Sequence, residues 1–205
     1  MRPERKARFE EVLANRQGSL VLLLENVKDP HNVAAILRSA DSVGVQDIYL
    51  LDTDNREIEL AGRRAARSAE IWTSIHSYNN LPDCVAAIRN RGYKIWGTHL
   101  GSGAHSLYEM DLTGRIALAF GNERYGLSNE LLDHCEDNFM IPQKGMIRSL
   151  NVSVACAVTL YEAYRQRQAA GMYDGGGGLD VAHKKELYAR WTERYNSQSE
   201  KGSID

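Results

Sequence analysis

Two runs in the chain, Leu20 to Leu24 (LVLLL) and Ile116 to Phe120 (IALAF), carry no polar side chain. A strand with one face in water alternates apolar and polar residues. A continuously apolar strand has to be covered on both faces, which is the situation of a parallel sheet between layers of helix. The intervening sequence supplies those layers. Phe9, Val12 and Leu13 fall at i, i+3, i+4 in a helix over about residues 4–16. Val33, Ile36, Leu37 and Ala40 share one face of a helix that starts near Pro30 and stops at Gly44. QDIYLL, EIWTSIH, YKIWGTHL and NFMIP read as further strands. Helices are expected at about 57–69, at about 79–91, over LSNELLDHC, and from Val152 to about Gln168. Strands alternating with helices predict an α/β fold, a parallel-sheet α/β/α sandwich.

Composition narrows the chemistry. Hydrophobic residues make up 43% and charged residues 25% of the 205-residue chain, the balance of a globular protein. No apolar run is long enough to span a membrane, and the charged N-terminus lacks the apolar core of a secretory signal, so a cytoplasmic location is expected. Cys84, Cys135 and Cys156 are far apart, and the six histidines form no ligand-spaced pair. Neither a disulfide framework nor a metal site is therefore expected. A net charge of −2 does not announce a nucleic-acid binder. Arginines nevertheless cluster at 2, 5, 8 and 16, at 56, 63, 64 and 67, and at 165 and 167. Such clusters are more often solvated faces than binding surfaces.

Four places could carry chemistry. THLGSGAHS (98–106) is a Gly-rich loop after a strand, but Ser106 stands where a dinucleotide fingerprint needs its third glycine. In AFGNERYGLS, Asn122, Glu123 and Arg124 emerge together behind Gly121 at a strand end, before a helix that Ser128 could cap. Asn32 lies in the first turn of its helix and Arg38 at the edge of the buried stripe. The fourth, IPQKGMIRSLNVSVACA (141–157), sets Ser149, Asn151 and Ser153 behind a loop with Lys144 and Arg148. One N-cap accounts for one of those polar residues, not for all three. After a tetraglycine stretch, Val181, Leu187 and Trp191 space a last helix that could pack on its own domain or on a second subunit. The final ten residues are expected to be disordered.

HNVAAILRSADSVG, ALAFGNERYGLS and IPQKGMIRSLNVSVACAVTLYEA, in this order, resemble the three motifs of the SpoU/TrmH branch of the SPOUT RNA methyltransferases. Within that branch the likeness is greatest to the tRNA guanosine 2′-O-methyltransferases. The resemblance implies a basic N-terminal extension (1–17), a methyltransferase domain (18–170) ending in a deep trefoil knot, and a glycine-rich linker with a C-terminal helix (171–205). It implies S-adenosylmethionine as methyl donor, tRNA as substrate and a homodimer. Thr98, Leu100, Gly121, Asn122, Ile141, Met146 and Leu150 would hold the cofactor. Arg38 would be catalytic, with Asn32, Glu123, Ser149 and Asn151 around it, and Arg5, Arg8, Arg16, Arg165 and Arg167 would contact RNA. An arginine is a poor proton acceptor, so Arg38 is expected to stabilise developing alkoxide while an RNA phosphate takes the proton. Lys144 and Arg148 depart from the family pattern, where those positions are mostly uncharged. Methylation of ribosomal RNA is the alternative within the branch. It is less favoured because those relatives usually carry an extra N-terminal RNA-binding domain, whereas this chain begins its first strand by residue 20. A non-catalytic RNA-binding protein of the same fold would lack Arg38 or Asn151. A nicotinamide oxidoreductase would need the missing glycine.

Overall fold

The computed structural model describes residues 1–53, 71–101, 103–174 and 178–199. Seven parallel strands form one sheet: β1 (Leu20–Glu25), β2 (Asp47–Leu51), β3 (Ser74–Tyr78), β4 (Lys94–Thr98), β5 (His105–Ser106), β6 (Ile116–Phe120) and β7 (Asp137–Met140). Their order across the sheet is β3-β2-β1-β6-β4-β7-β5. The two unbroken apolar runs, β1 and β6, are central neighbours and pair Leu20 with Ile116 through Leu24 with Phe120. Every residue of both strands is buried.

The helices are α1 (Pro3–Asn15), α2 (Pro30–Ser42), α3 (Leu81–Asn90), α4 (Asn129–Leu132), α5 (Val152–Ala169) and α6 (Val181–Ser199). On one sheet face, Val33, Ile36, Leu37 and Ala40 of α2 pack with Cys156, Leu160 and Ala163 of α5. On the other, Cys84, Val85 and Ile88 of α3 cover Val21, Leu23 and Ala119. The helix starts follow local chemistry. Asp29 caps α2 by accepting from His31 N (2.8 Å), and Asn80 caps α3 by accepting from Asp83 N (2.9 Å). Gly44 ends α2 at φ +81°, where a Cβ would sit 2.6 Å from the Asn15 carbonyl oxygen.

A third cluster joins the chain's two ends. Phe9 and Leu13 of α1 pack against Leu187 and Trp191 of α6, so α6 docks on its own chain. The structure departs from the sequence reading in a few places. β3 begins at Ser74 rather than residue 70, because Trp72 turns aside into this cluster, its ring 5.5 Å from that of Phe9. The helix expected over LSNELLDHC is confined to Asn129–Leu132, and the two-residue β5 was not foreseen. α6 runs through Ser199, four residues into the tail expected to be disordered. The helix expected at 57–69, the arginines at 56, 63, 64 and 67, and Gly175 to Gly177 lie outside the described residues. Among the described residues no helix is long and apolar enough to cross a membrane.

Candidate active site

In a parallel sheet the strand ends on one edge leave backbone groups and loop side chains facing a common crevice. Here the C-terminal ends of β4, β6 and β7 open into a cleft of about 440 Å³, lined among others by Thr98, Leu100, Gly121, Ile141, Ser149 and Leu150. That volume lies within the roughly 300–1,000 Å³ of small-molecule pockets. Gly121 is obligatory in its wall, since a Cβ would lie 2.1 Å from the backbone carbon of Gly126. The contact exists because Asn122 and Gly126 bridge to close a tight turn, with Gly126 N donating to Asn122 O (2.8 Å).

The turn is pinned from both sides. The Asn122 amide donates to the Asn26 carbonyl (3.0 Å) and its oxygen accepts from Arg124 N (2.9 Å). Asn26 is in the left-handed region, φ 52°, a conformation asparagine tolerates better than most residues. It exchanges two 3.0 Å bonds with Thr53. Just before it, Glu25 is 2% exposed and accepts from Ser128 N (2.7 Å) and Ser128 Oγ (2.6 Å). Ser128 in turn caps α4 at Leu131 N. Sequence reasoning missed Glu25; the only signal was a carboxylate ending an otherwise apolar strand, costly unless paired.

Beside the cleft runs a chain of side-chain amides. Asn151 caps α5 by accepting from Ser153 N (2.9 Å) and Ser153 Oγ (2.6 Å). Its amide donates to Asn32 Oδ1 (3.0 Å), and the Asn32 amide donates to Glu123 Oε1 (2.5 Å). With Asn32 only 8% exposed, the first turn of α2, the first turn of α5 and the 122–126 turn hold one another at fixed orientation. The structure thus brings Asn32, Glu123 and Asn151 together and puts Ser149 in the cleft lining. Arg38 stands apart, exposed on α2, six residues and so about 9 Å along the helix from Asn32. It makes no hydrogen bond or ion pair to another described residue.

Three expectations need correction. Met146 is 99% exposed and outside the cleft lining, because the 143–150 loop turns its side chain to solvent. Arg16 is fully buried: it donates to Asp41 Oδ1 (2.5 Å), Val45 O and Trp72 O, and it lies 5.3 Å from the centre of the Trp191 ring. Arg167 is also fully buried, donating to the carbonyls of Leu112, Ser19 and Gly114 and to Gln17 Oε1 and Ser19 Oγ. Burial draws its guanidinium down to about 10. Neither arginine can reach a phosphate. Arg5 lies over the Tyr195 ring at 5.2 Å, Arg8 pairs with Glu11 (2.9 Å), and exposed Arg165 is held by Glu162 (2.7 Å). These three stay near solvent.

Residues 19–161 match the model of the SpoU rRNA Methylase family. The chain belongs to that family. A tRNA (guanosine(18)-2′-O)-methyltransferase of Escherichia coli (strain K12) is 41% identical over 173 residues, 84% of this chain and 75% of that protein. Among solved structures, the TrmH/SpoU tRNA modifying enzyme of A. aeolicus superposes with a TM-score of 0.85 at 33% identity, covering 93% of this chain and 96% of that one. The SpoU methyltransferase AviRb of Streptomyces viridochromogenes, solved with AdoMet, gives 0.66 at 28% identity over 75% of this chain and 60% of that one. As a SpoU-family methyltransferase, this chain sets its cleft and its amide network at the same edge of the sheet.

Proposed function

We propose that the protein transfers a methyl group from S-adenosylmethionine to a ribose 2′-hydroxyl of tRNA, with guanosine 18 of the D-loop as target. The observation that carries this reading is the Asn151–Asn32–Glu123 chain beside a strand-end cleft, in a sequence 41% identical to an enzyme named for that reaction. The cleft suits the cofactor. Backbone groups at Thr98, Gly121 and Ile141 can read an adenine edge, while Leu100, Leu150 and Phe120 cover its faces. Bound there, S-adenosylmethionine supplies a methyl carbon made electrophilic by its sulfonium, which leaves as a neutral thioether.

This chain's residues then have three tasks. The amide chain holds Glu123 in place beside the acceptor ribose, with Ser149 facing it from the cleft lining, so that little reorganisation remains when the bond forms. Arg38 donates to the oxygen that gains negative charge as the 2′-proton leaves to an RNA phosphate. Arg5, Arg8 and Arg165 contact the backbone of the tRNA, binding it without reading its sequence. The reading includes a trefoil knot and a homodimer. The knot is supported by β6 and β7 lying on either side of β4 and by the return of α5 onto α2. The dimer is supported by the exposed Val154 and Tyr161 on α5. Three free thiols fit a cytoplasmic setting.

Labelled methyl transfer onto unmodified tRNA transcripts, followed by mapping of alkali-resistant linkages, tests the reading. One resistant linkage at guanosine 18 is expected. Label confined to ribosomal RNA, or methyl groups on bases, would overturn it. Replacing Arg38 by Lys keeps the charge and removes the planar fork, and kcat is expected to fall by about 10²-fold or more. Near-normal turnover would show that the fork plays no part.

A further inference from the structure

The turn that walls the cofactor cleft has a second face. Beyond it lies another cavity, of about 840 Å³, whose lining includes Asn26, Lys28, Glu123, Arg124, Tyr125 and Ser128. Glu123, Arg124 and Tyr125 belong to both cavities. We infer that this second cavity receives the acceptor nucleoside, and that Tyr125, backed by Arg124, is the surface on which its base stacks. The inference rests on the ribose-methylation reading and adds to it the site of the base.

Three observations carry it. Tyr125 is 77% exposed at the tip of the turn and pairs with no other aromatic ring among the described residues. Its one ring partner is the Arg124 guanidinium, 5.2 Å from the ring centre. An exposed aromatic carrying a cation is the surface on which unpaired bases stack, whatever their identity. Second, the turn is rigid for its size, bridged between Asn122 and Gly126 and tied to Asn26. The backbone that carries the ring is thus in place before RNA arrives, while the exposed side chain is free to turn onto a base. Third, Glu123, which ends the amide network, stands two residues from Tyr125. That much chain spans at most about 7 Å, the scale on which a ribose and its own base are separated. A ribose beside Glu123 therefore has its base within reach of Tyr125. Lys28, in the same lining, sets a cation near the nucleoside's phosphates.

A base that leaves its stack to bring the 2′-oxygen to Glu123 would regain the lost stacking on the Tyr125 ring. Steady-state transfer to a tRNA transcript, together with calorimetric titration of S-adenosylmethionine, tests this with wild type, Tyr125→Ala and Tyr125→Phe. Tyr125→Ala is expected to raise KM for tRNA by roughly tenfold or more while cofactor affinity falls by far less. Tyr125→Phe, which keeps the ring, is expected to restore most of the loss. An unchanged KM in Tyr125→Ala would overturn the inference. So would a parallel loss of cofactor affinity, which would assign the ring to the cofactor cleft. If wild type itself transfers no methyl to tRNA, the ribose-methylation reading fails and takes this inference with it; if wild type is active and Tyr125→Ala matches it, only the stacking surface is lost.

Discussion

Arg167 carries its charge into the interior without a carboxylate to meet it. Four groups on the stretch 112–114 and residues 17–19, besides the Ser19 hydroxyl, receive its five donors. A planar fork can satisfy so many acceptors at once, whereas an ammonium offers three donors from one point. Arg167→Lys is therefore expected to destabilise the fold by about 3 kcal/mol and lower Tm by roughly 6–12 °C in a thermal melt, with several carbonyls left unpaired. Arg165, two residues earlier and exposed, shows the contrast. Arg165→Gln should leave the melt in place and reduce by about one the slope of log tRNA affinity against log salt. The two arginines are indistinguishable in the string YRQRQ, because what separates them is whether carbonyls from a remote segment arrive at the same point. The amide network is different. Asn32, Glu123 and Asn151 stand out in the sequence as polar residues at helix mouths and a strand end. Their motifs point to them even though their mutual bonds cannot be read there.

At the level of elements, the beginning of β2 is fastened to the end of α3. Asp47, 2% exposed, accepts from His76 on β3 (2.8 Å) and from Arg91 just after α3 (3.0 Å). Burial by itself would push its carboxyl up. The hydrogen bonds and charges of His76 and Arg91 outweigh that and hold it below the ordinary range. A carboxylate lowered in the folded state stabilises fully above its unfolded value near 3.9, and that contribution is lost as pH falls through the folded value. The gap in urea midpoint between wild type and Asp47→Asn should thus be full near pH 7 and should close as the pH drops below about 3.9. A gap that persisted undiminished at low pH would assign it to packing instead. Most elements were legible because apolar runs and caps are local signals. The ones misread, β3 at its start, β5 and α4, are set by partners elsewhere: Trp72 follows Phe9, and β5 exists because β7 lies beside it.

Across the whole molecule, the two termini form one unit. The Phe9 ring meets those of Trp72, Tyr188, Trp191 and Tyr195 edge-on at 5.5–6.3 Å. Arg16 closes the cluster from beneath, bonded to Asp41 and set against Trp191. Phe9→Ala is expected to cost about 3–5 kcal/mol. Amide hydrogen exchange should rise together in Pro3–Asn15 and Val181–Ser199, since each helix buries its apolar face on the other. Faster exchange in α1 alone would mean that α6 is anchored elsewhere.

The central pairing of β1 with β6 also has a consequence for how the chain is made. β1 leaves the ribosome well before the strand that fills its far side, which is encoded roughly a hundred residues later; at about 5–20 residues per second, LVLLL waits some 5–20 s for its neighbour. During that interval β2 can occupy one edge, and the other stays open, an apolar ladder with unpaired amides. Synthesis speed between β2 and β6, and any holdase that shelters that edge, should therefore govern the yield of native protein more than the stability of the finished fold does.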